Sequence, residues 1–130
     1  MRKIKNPKQH WKKKAWTAFS AMIRKRNANH HGMVNCVTCS KIGHWKEFQA
    51  GHFIAGRNNT VLFDERLVHP QCYYCNGPLK GNVVNYFIYM KRIGYTDSDL
   101  IEFDKLKFKT KPMSAQDYQD IFNKYKSWLM

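Results

Sequence analysis

The chain has 130 residues, enough for one domain with a modest core, and its 43% hydrophobic and 15% aromatic residues exclude wholesale disorder. Its formal net charge is +14, from 23 Lys and Arg against 9 Asp and Glu, and no carboxylate precedes Glu47. Such a field favours a polyanionic partner, nucleic acid above all, over an anionic membrane surface or a solvated basic face.

No stretch of the sequence approaches the ~20 apolar residues that a membrane-spanning helix needs. The first residues, "MRKIKNPKQHWKKK", lead into no uninterrupted apolar run of the kind that follows the basic start of a signal peptide. We therefore expect a cytoplasmic protein with no membrane partner.

The first predicted element is a basic helix from Gln9 to about Asn27, within an N-terminal region of residues 1–30. Its apolar residues recur at helical spacing, which indicates core packing on one side and leaves a basic side for DNA. The stripe consists of Trp11, Ala15, Ala18, Phe19, Met22 and Ile23. "NANHHGMVNC" ends the helix.

The middle of the chain is predicted to form short strands. "HWKEFQAGHFIAG" has the composition of a strand or a tight hairpin that ends at Gly56, and "RNNT" is typical of a turn. "VLF" is predicted as a short second strand, after which "DERLVHPQC" returns the chain to its last pair of cysteines.

The remaining sequence is predicted to be helical. One helix runs from about Leu79 and stops at Gly94, a second covers "DSDLIEFDKLKF", and a third opens at Ser114, with Asp117 completing a capping box. The fold class is therefore α+β. We predict a single domain over 1–130, with a small core over 34–94 and flanking helices over 95–130.

The four cysteines form two C-x-x-C pairs, Cys36 with Cys39 and Cys72 with Cys75. In a reducing compartment two such pairs favour metal over disulfides, and four thiolates around one tetrahedral Zn²⁺ make a structural site. A thioredoxin-type redox pair is the alternative, but neither pair ends an apolar strand. We predict one structural zinc ion.

Three polar residues near these pairs have both a structural and a chemical interpretation. An isolated His52 is more often a satisfied, partly buried residue, Asn76 can cap a helix, and Arg57 can be one more basic surface residue. The order C-x-x-C, then G-H, then C-x-x-C-N favours chemistry, because it brings a histidine and an amide beside a zinc knuckle.

This order resembles the zinc-containing HNH, or ββα-metal, nucleases, and most closely the phage lambda NinG (Rap) recombination nuclease family. The resemblance lies between Cys36 and Gly94, in "CVTC", "WKEFQAGHF", "LFDE", "VHPQCYYCN" and "KGNVVNY". Phage endonuclease VII, a Holliday-junction resolvase, is similar in having two knuckles and an Asn after the last cysteine. The resemblance implies a zinc-braced ββα-metal (HNH-like) core. It also implies a metal-dependent DNA endonuclease that cuts branched recombination intermediates, such as junctions or flaps, leaving 5′-phosphate and 3′-hydroxyl ends.

The roles that phosphodiester hydrolysis requires can be assigned to these residues. His52 would be the general base, since a neutral imidazole accepts a water proton near neutral pH. One Mg²⁺ or Mn²⁺ would be held by Asn76, because such an ion takes oxygen ligands and keeps several waters. Arg57 would bind a phosphate oxygen. The zinc would do no chemistry, because its thiolate shell is closed.

Two positions depart from the usual HNH pattern. Many of these enzymes have an aspartate, a second metal ligand, where this chain has Gly51; Asp64, Glu65 or another oxygen is the possible replacement. An asparagine that braces the loop of the base is replaced by Leu67, and His69 or Asp64 is the possible substitute.

Basic residues on two of the predicted helices complete the expected DNA surface. They are Lys12, Lys13, Lys14, Arg24, Lys25, Arg26, Lys80, Lys91 and Arg92. Phosphate contacts of this kind give affinity and salt dependence but no base readout, and the family likeness favours branched or single-stranded regions of DNA as substrate.

The alternative function is a non-catalytic, zinc-stabilised DNA-binding module of a recombination complex, which the two departures at Gly51 and Leu67 favour. Recombination proteins are possible partners under either function, and resolving a junction in opposite strands would favour a homodimer.

Overall fold

A computed structural model describes residues 3–56 and 58–130 of the chain. The described part is an α+β structure with four short strands and six α-helices. The strands are β1 Met33–Asn35, β2 Ile42–His44, β3 Gln49–His52 and β4 Val68–Gln71. The helices are α1 Pro7–Lys25, α2 Asn59–Leu62, α3 Tyr73–Asn76, α4 Val83–Arg92, α5 Asp97–Lys105 and α6 Ala115–Tyr125. None of the described helices is long and apolar enough to span a bilayer.

The strands form two antiparallel pairs, β1 with β2 and β3 with β4. In the second pair Gly51 lies opposite His69, and His52 lies opposite Val68. The first knuckle begins directly after β1 and the second directly after β4. A hydrogen bond from the Val37 amide to the Pro70 carbonyl at 3.1 Å joins the first knuckle to β4 and so brings the cysteines together from distant parts of the sequence.

The prediction of a strand at "VLF" is wrong, because these residues belong to or follow the short helix α2. The side chain of Asn58 accepts a hydrogen bond from the Thr60 amide at 3.2 Å and caps this helix. Val61 and Leu62 are both fully buried on one side of α2, whereas neighbours in a strand point to opposite faces. The partner of β3 is instead β4, in which all four residues are buried.

Helix α1 begins and ends two residues earlier than predicted, because Asn6 caps it and Pro7 occupies its first turn. Its buried residues include five of the six predicted ones, while Trp11 is only partly buried. The apolar side of α1 packs against α6, as in the edge-to-face contact of Phe19 with Tyr125 at 5.3 Å. The helix also packs along β3 and β4.

The three C-terminal helices follow the predicted order with one shifted start. Helix α4 begins four residues later than predicted, because Lys80, Gly81 and Asn82 all have positive φ angles and cannot continue an α-helix. Gly94, with φ +114°, ends the helical segment as predicted. The predicted capping box at Ser114 is confirmed.

Candidate functional site

The four cysteine thiols form one cluster, in which the Sγ atoms lie within 4.8 Å of one another. The Sγ atoms of Cys39 and Cys72 are 3.7 Å apart. A tetrahedral site with Zn–S bonds of ~2.3 Å requires sulfur–sulfur distances of about 3.8 Å. The cluster therefore has the ligand type and the spacing to hold one zinc ion, as the two C-x-x-C pairs predicted.

The thiols of this cluster differ in how easily they ionise. Burial opposes ionisation of Cys36, but hydrogen bonds from Thr38 and from nearby backbone amides lower its pKa to about 6. Burial and hydrogen bonds with the neighbouring thiols raise the pKa of Cys39 to about 12, and burial raises that of Cys72. The hydrogen bonds therefore favour the thiolate at Cys36, and a bound cation would be needed to favour it at Cys39 and Cys72.

A cleft between α1, β3 and the loop after α3 has a volume of about 540 Å³. His52 and Asn76, which are 24 residues apart in sequence, both line it. The other lining residues are Trp16, Ser20, Arg24, Phe48, Gln49, Ala50, Ala55, Gly56, Lys80 and Gly81. The cleft thus contains two cationic side chains, and no carboxylate among its described residues.

His52 is half-buried, and two contacts fix the orientation of its ring. Its Nε2 lies 3.1 Å from the carbonyl oxygen of Leu62, and its ring stacks on the indole of Trp16 with centroids 5.2 Å apart and planes 19° apart. Because a carbonyl can only accept, Nε2 carries the proton of the neutral imidazole and Nδ1 carries the lone pair. A proton acceptor is thereby assigned to one atom of a ring that lines the cleft.

Asn76 is the last residue of α3 and is oriented by β3. Its Nδ2 donates to the side-chain Oε1 of Gln49 at 2.7 Å, and its backbone amide donates to the Cys72 carbonyl at 3.0 Å. This arrangement leaves Oδ1 as the free acceptor, since it has no hydrogen bond within the described residues. The knuckle that carries two zinc-ligand candidates therefore fixes the position of an amide oxygen at the cleft.

The side chain of Gln71 explains why glycine precedes His52. A Cβ atom at Gly51 would lie 1.8 Å from Oε1 of Gln71. Gln71 is fully buried, and its Nε2 donates to Oγ1 of Thr38 at 3.1 Å and to the Gly81 carbonyl at 2.9 Å. An aspartate at position 51 is therefore excluded by packing.

A buried hydrogen-bond chain braces the strand that carries His52. His69 donates from Nδ1 to the hydroxyl of Tyr86 at 2.9 Å, and this hydroxyl donates to the Gly51 carbonyl at 2.7 Å. Burial lowers the pKa of His69 to about 4, so the chain is uncharged at neutral pH. Leu67, at the position where an asparagine was expected, is fully buried in the apolar core. Of the two residues proposed as substitutes for that asparagine, His69 is the one that is hydrogen-bonded, through Tyr86, to strand β3.

Asp64 and Glu65, the possible second metal ligands, lie outside the cleft. Burial opposes ionisation of Asp64, but hydrogen bonds from Arg66 hold its pKa below the usual range. The carboxylate of Glu65 pairs with Arg26 at 2.9 Å and accepts from the Tyr125 hydroxyl at 2.7 Å. Both carboxylates line a different cavity, beside Lys111, and neither is placed next to Asn76.

Two of the predicted basic residues line the cleft. Arg24 is half-buried, and its Nε donates to the Ser20 carbonyl at 3.1 Å. Desolvation lowers its pKa, and no described carboxylate lies within ion-pairing distance. Lys80 extends from a backbone with φ +53°, a left-handed conformation that costs roughly 1–2 kcal/mol in a non-glycine residue. Arg57 lies outside the described residues.

The other predicted basic residues are distributed over several surfaces. Arg26 is paired with Glu65 and Lys91 with Asp97, while Lys25 donates to the Trp128 carbonyl. The remaining ones do not line the cleft. The ammonium groups of Lys12 and Lys14 lie over the rings of Tyr118 and Phe122 on α6, and Lys13 and Arg92 are exposed.

Sequence reasoning missed four residues that shape the cleft: Trp16, Ser20, Gln49 and Gln71. One signal was available, because Trp16, Ser20 and Arg24 are spaced by four residues and so share one side of a helix. The position of Gln71 depends on the pairing of β3 with β4, which the sequence pattern did not indicate.

The comparisons with known proteins agree on one family. The family model described as "Bacteriophage Lambda NinG protein" matches residues 1–130. The chain is 34% identical to "Protein ninG" of Salmonella phage P22 over 100 residues, which is 75% of this chain and 47% of that protein. It is 33% identical over 98 residues to "Protein ninG" of Escherichia phage lambda, covering 74% of this chain and 46% of that protein. No solved structure matches. The chain therefore belongs to the NinG family, and it spans about half the length of these curated relatives.

Proposed function

We propose that this protein is a metal-dependent DNA endonuclease that hydrolyses phosphodiester bonds in branched recombination intermediates. The observation that carries the proposal is the convergence of His52 and Asn76 on one open cleft. The described hydrogen bond from the His52 ring to the core is made through Nε2. The neighbouring cations Arg24 and Lys80 make the cleft suitable for a phosphate group.

His52 acts as the general base in this proposal. Its Nδ1 takes a proton from the water that attacks phosphorus, and the bond between phosphorus and the 3′ oxygen breaks. The departing oxygen receives its proton from a second water, which leaves 3′-hydroxyl and 5′-phosphate ends. Trp16 and the Leu62 carbonyl keep the imidazole in one orientation while the proton moves.

Asn76 offers the one described amide oxygen that is suited to a catalytic Mg²⁺ or Mn²⁺. When bound, such an ion neutralises charge on the phosphate and on the departing oxygen. A site with a single protein oxygen fits an ion that retains waters and takes its other ligands from DNA. Because Arg24 and Lys80 repel a free cation, we expect DNA to bind before the metal.

In this proposal Arg24 and Lys80 bind phosphate oxygens of the DNA in the cleft. Arg24 is partly desolvated and lacks an anionic partner in the described chain, so a phosphate would supply the missing charge. The left-handed backbone of Lys80 is held by a hydrogen bond from its amide to the Gly77 carbonyl at 2.8 Å. Local strain of this kind is common where a side chain must point into a functional site.

The order of elements also supports an HNH-like, ββα-metal core. Strands β3 and β4 are antiparallel, and the second knuckle and helices α3 and α4 follow them. The base lies on the first strand and the amide on the following helix, as in the proteins that the sequence resembles. The rival function, a DNA-binding module without catalysis, shares this fold but gives no reason for an oriented imidazole in an open cleft.

The test is cleavage of labelled four-way junction, flap, duplex and single-stranded DNA, with and without Mg²⁺. We expect metal-dependent cutting that His52→Ala and Asn76→Ala each reduce by about 10²–10⁴-fold while DNA binding is retained. His31→Ala and Asn123→Ala are matched controls, since both residues are exposed and lie away from the cleft. Tight, salt-sensitive binding without cutting under Mg²⁺ or Mn²⁺ would overturn the proposal in favour of the binding module.

A further inference from the structure

Two tyrosines of the second knuckle are exposed, in contrast to every other tyrosine of the chain. Tyr73 and Tyr74 keep 65% and 61% of their surface accessible, while the other five of the seven tyrosines are buried or half-buried. Within the described residues, neither side chain has a hydrogen bond, a ring contact or a cation partner. A pair of adjacent aromatic rings is therefore available for binding.

The backbone beneath these rings is held in place. Tyr73 and Tyr74 lie between Cys72 and Cys75, so both ends of the segment belong to the thiol cluster. The Asn76 amide donates to the Cys72 carbonyl at 3.0 Å, and the Gly77 amide to the Tyr73 carbonyl at 2.7 Å. The backbone of this segment therefore loses little conformational entropy when the rings bind a ligand.

Gly77 leaves the Tyr73 ring accessible. A Cβ atom at this glycine would lie 3.5 Å from Cε2 of Tyr73 and 3.0 Å from its carbonyl oxygen. A larger residue at this position would therefore cover part of the ring.

The charge around the rings identifies the kind of partner. Asn76 ends the same short helix and Lys80 follows in the next loop; both line the cleft, and the chain as a whole carries +14. An exposed aromatic pair on a basic surface suits a ligand that has both flat rings and phosphates. Paired bases in a duplex have their faces covered by neighbouring bases, whereas unpaired bases do not.

We infer that Tyr73 and Tyr74 stack on unpaired bases next to the cleft and so direct the protein to single-stranded regions of DNA. The inference rests on the proposed function in taking DNA as the substrate, and it adds the feature of the DNA that is recognised. The tyrosines would act on binding, not on the chemistry of cleavage.

The test measures binding without added divalent metal, so that no cleavage is needed. Fluorescence anisotropy with a labelled thymidine 15-mer and with a blunt duplex of the same length gives the two dissociation constants. We expect Tyr73→Ala and Tyr74→Ala each to weaken single-strand binding by about 5- to 150-fold, the equivalent of ~1–3 kcal/mol per stacked base. Duplex binding should change by less than about threefold, since phosphate contacts dominate it.

Two controls separate stacking from other effects. Tyr73→Phe and Tyr74→Phe keep the ring and should bind the single strand like the unchanged protein. Phe108→Ala removes an aromatic side chain that is 78% exposed on another surface, and should leave both constants unchanged. Zinc content and melting temperature show whether each variant is folded.

Equal losses on single strand and duplex, or no loss on either, would overturn the inference. Its failure is distinct from that of the proposed function. If cutting depends on His52 but the tyrosine variants bind DNA like the unchanged protein, the stacking inference is refuted and the nuclease proposal is supported. If single-strand binding depends on the tyrosines but no cutting occurs, the stacking inference is supported and the nuclease proposal is refuted.

Discussion

Replacing Gly51 by alanine should destabilise the protein much more than an added methyl group usually does. The new Cβ atom would lie 1.8 Å from Oε1 of Gln71, 2.6 Å from its Cδ and 2.9 Å from its Cγ. Gly51 lies in an extended strand, where alanine is at least as favourable as glycine, so the backbone conformation does not disfavour the substitution. The whole effect therefore comes from the fully buried side chain of Gln71.

The size of the effect follows from what Gln71 must give up. To make room for the new methyl group, the Gln71 amide must give up its hydrogen bonds to Thr38 and to the Gly81 carbonyl. Losing each of these buried hydrogen bonds lowers the free energy of unfolding by about 1 kcal/mol or more. Overpacking adds about 1–3 kcal/mol. The sum is about 3–5 kcal/mol, a large part of a total stability of roughly 5–15 kcal/mol. At about 4 °C per kcal/mol for a chain of this size, the melting temperature should fall by about 12–20 °C.

A double-mutant cycle measured by urea denaturation isolates this contact. We expect Gly51→Ala to lower the free energy of unfolding by the full amount in the natural chain, and by less than about 1 kcal/mol in a Gln71→Ala background. Equal effects in the two backgrounds, or a negligible effect in the natural chain, would refute the packing argument. The same argument predicts that Gly51→Asp unfolds the strand and does not create a second metal ligand.

Three further predictions concern the cleft, the buried histidine and the thiol cluster. Trp16→Ala should lower the rate constant for DNA cleavage by about 10- to 100-fold, because the His52 imidazole loses the ring on which it stacks, while substrate affinity should change little. The control is Trp11→Ala, which removes a tryptophan of the same helix that contacts Phe122 and should leave that rate constant unchanged. The pKa of His69 is lowered from 6.5 to about 4, so the unfolded chain takes up a proton at this residue before the folded chain does, and stability is lost as pH falls from 6.5 to 4. In His69→Gln the free energy of unfolding, measured with urea at each pH, should fall by about 3 kcal/mol less over this range. Identical pH profiles for the two proteins would contradict this prediction. Cys72→Ser should lower zinc content from one ion per chain and reduce the melting temperature, as measured by metal analysis and calorimetry, and unchanged zinc content would show that this thiol is not a ligand.

The parts of the structure that the sequence predicted are those that local patterns determine. The apolar spacing of α1, the stop at Gly94 and the capping box at Ser114 depend on neighbours within a few residues. Each C-x-x-C pair is local in the same sense, since the knuckle limits the distance between its two sulfurs. The joining of the two pairs into one cluster was predicted from the four-thiolate preference of zinc.

The parts that were not predicted depend on contacts between distant residues. Strand β4 reads "VHPQ", which lacks the alternation of a strand, because it is buried on both faces and its polar residues bond inside the core. The strand at "VLF" was wrong because a cap at Asn58 and two adjacent buried residues favour a helical turn. Trp16 was not assigned to the cleft because its stacking on His52 depends on where α1 packs.

Helix α1 precedes both C-x-x-C pairs in the sequence, whereas α6, the helix that covers most of its apolar side, follows both. Phe19 and the residues around it stay exposed to water until Tyr125 and its neighbours have left the ribosome. Until then α1 is not fixed against β3, and Trp16 has no stable position over His52. The wall of the cleft therefore forms only after α6 has been made, so a nascent chain with its thiol cluster already folded would still lack an ordered imidazole.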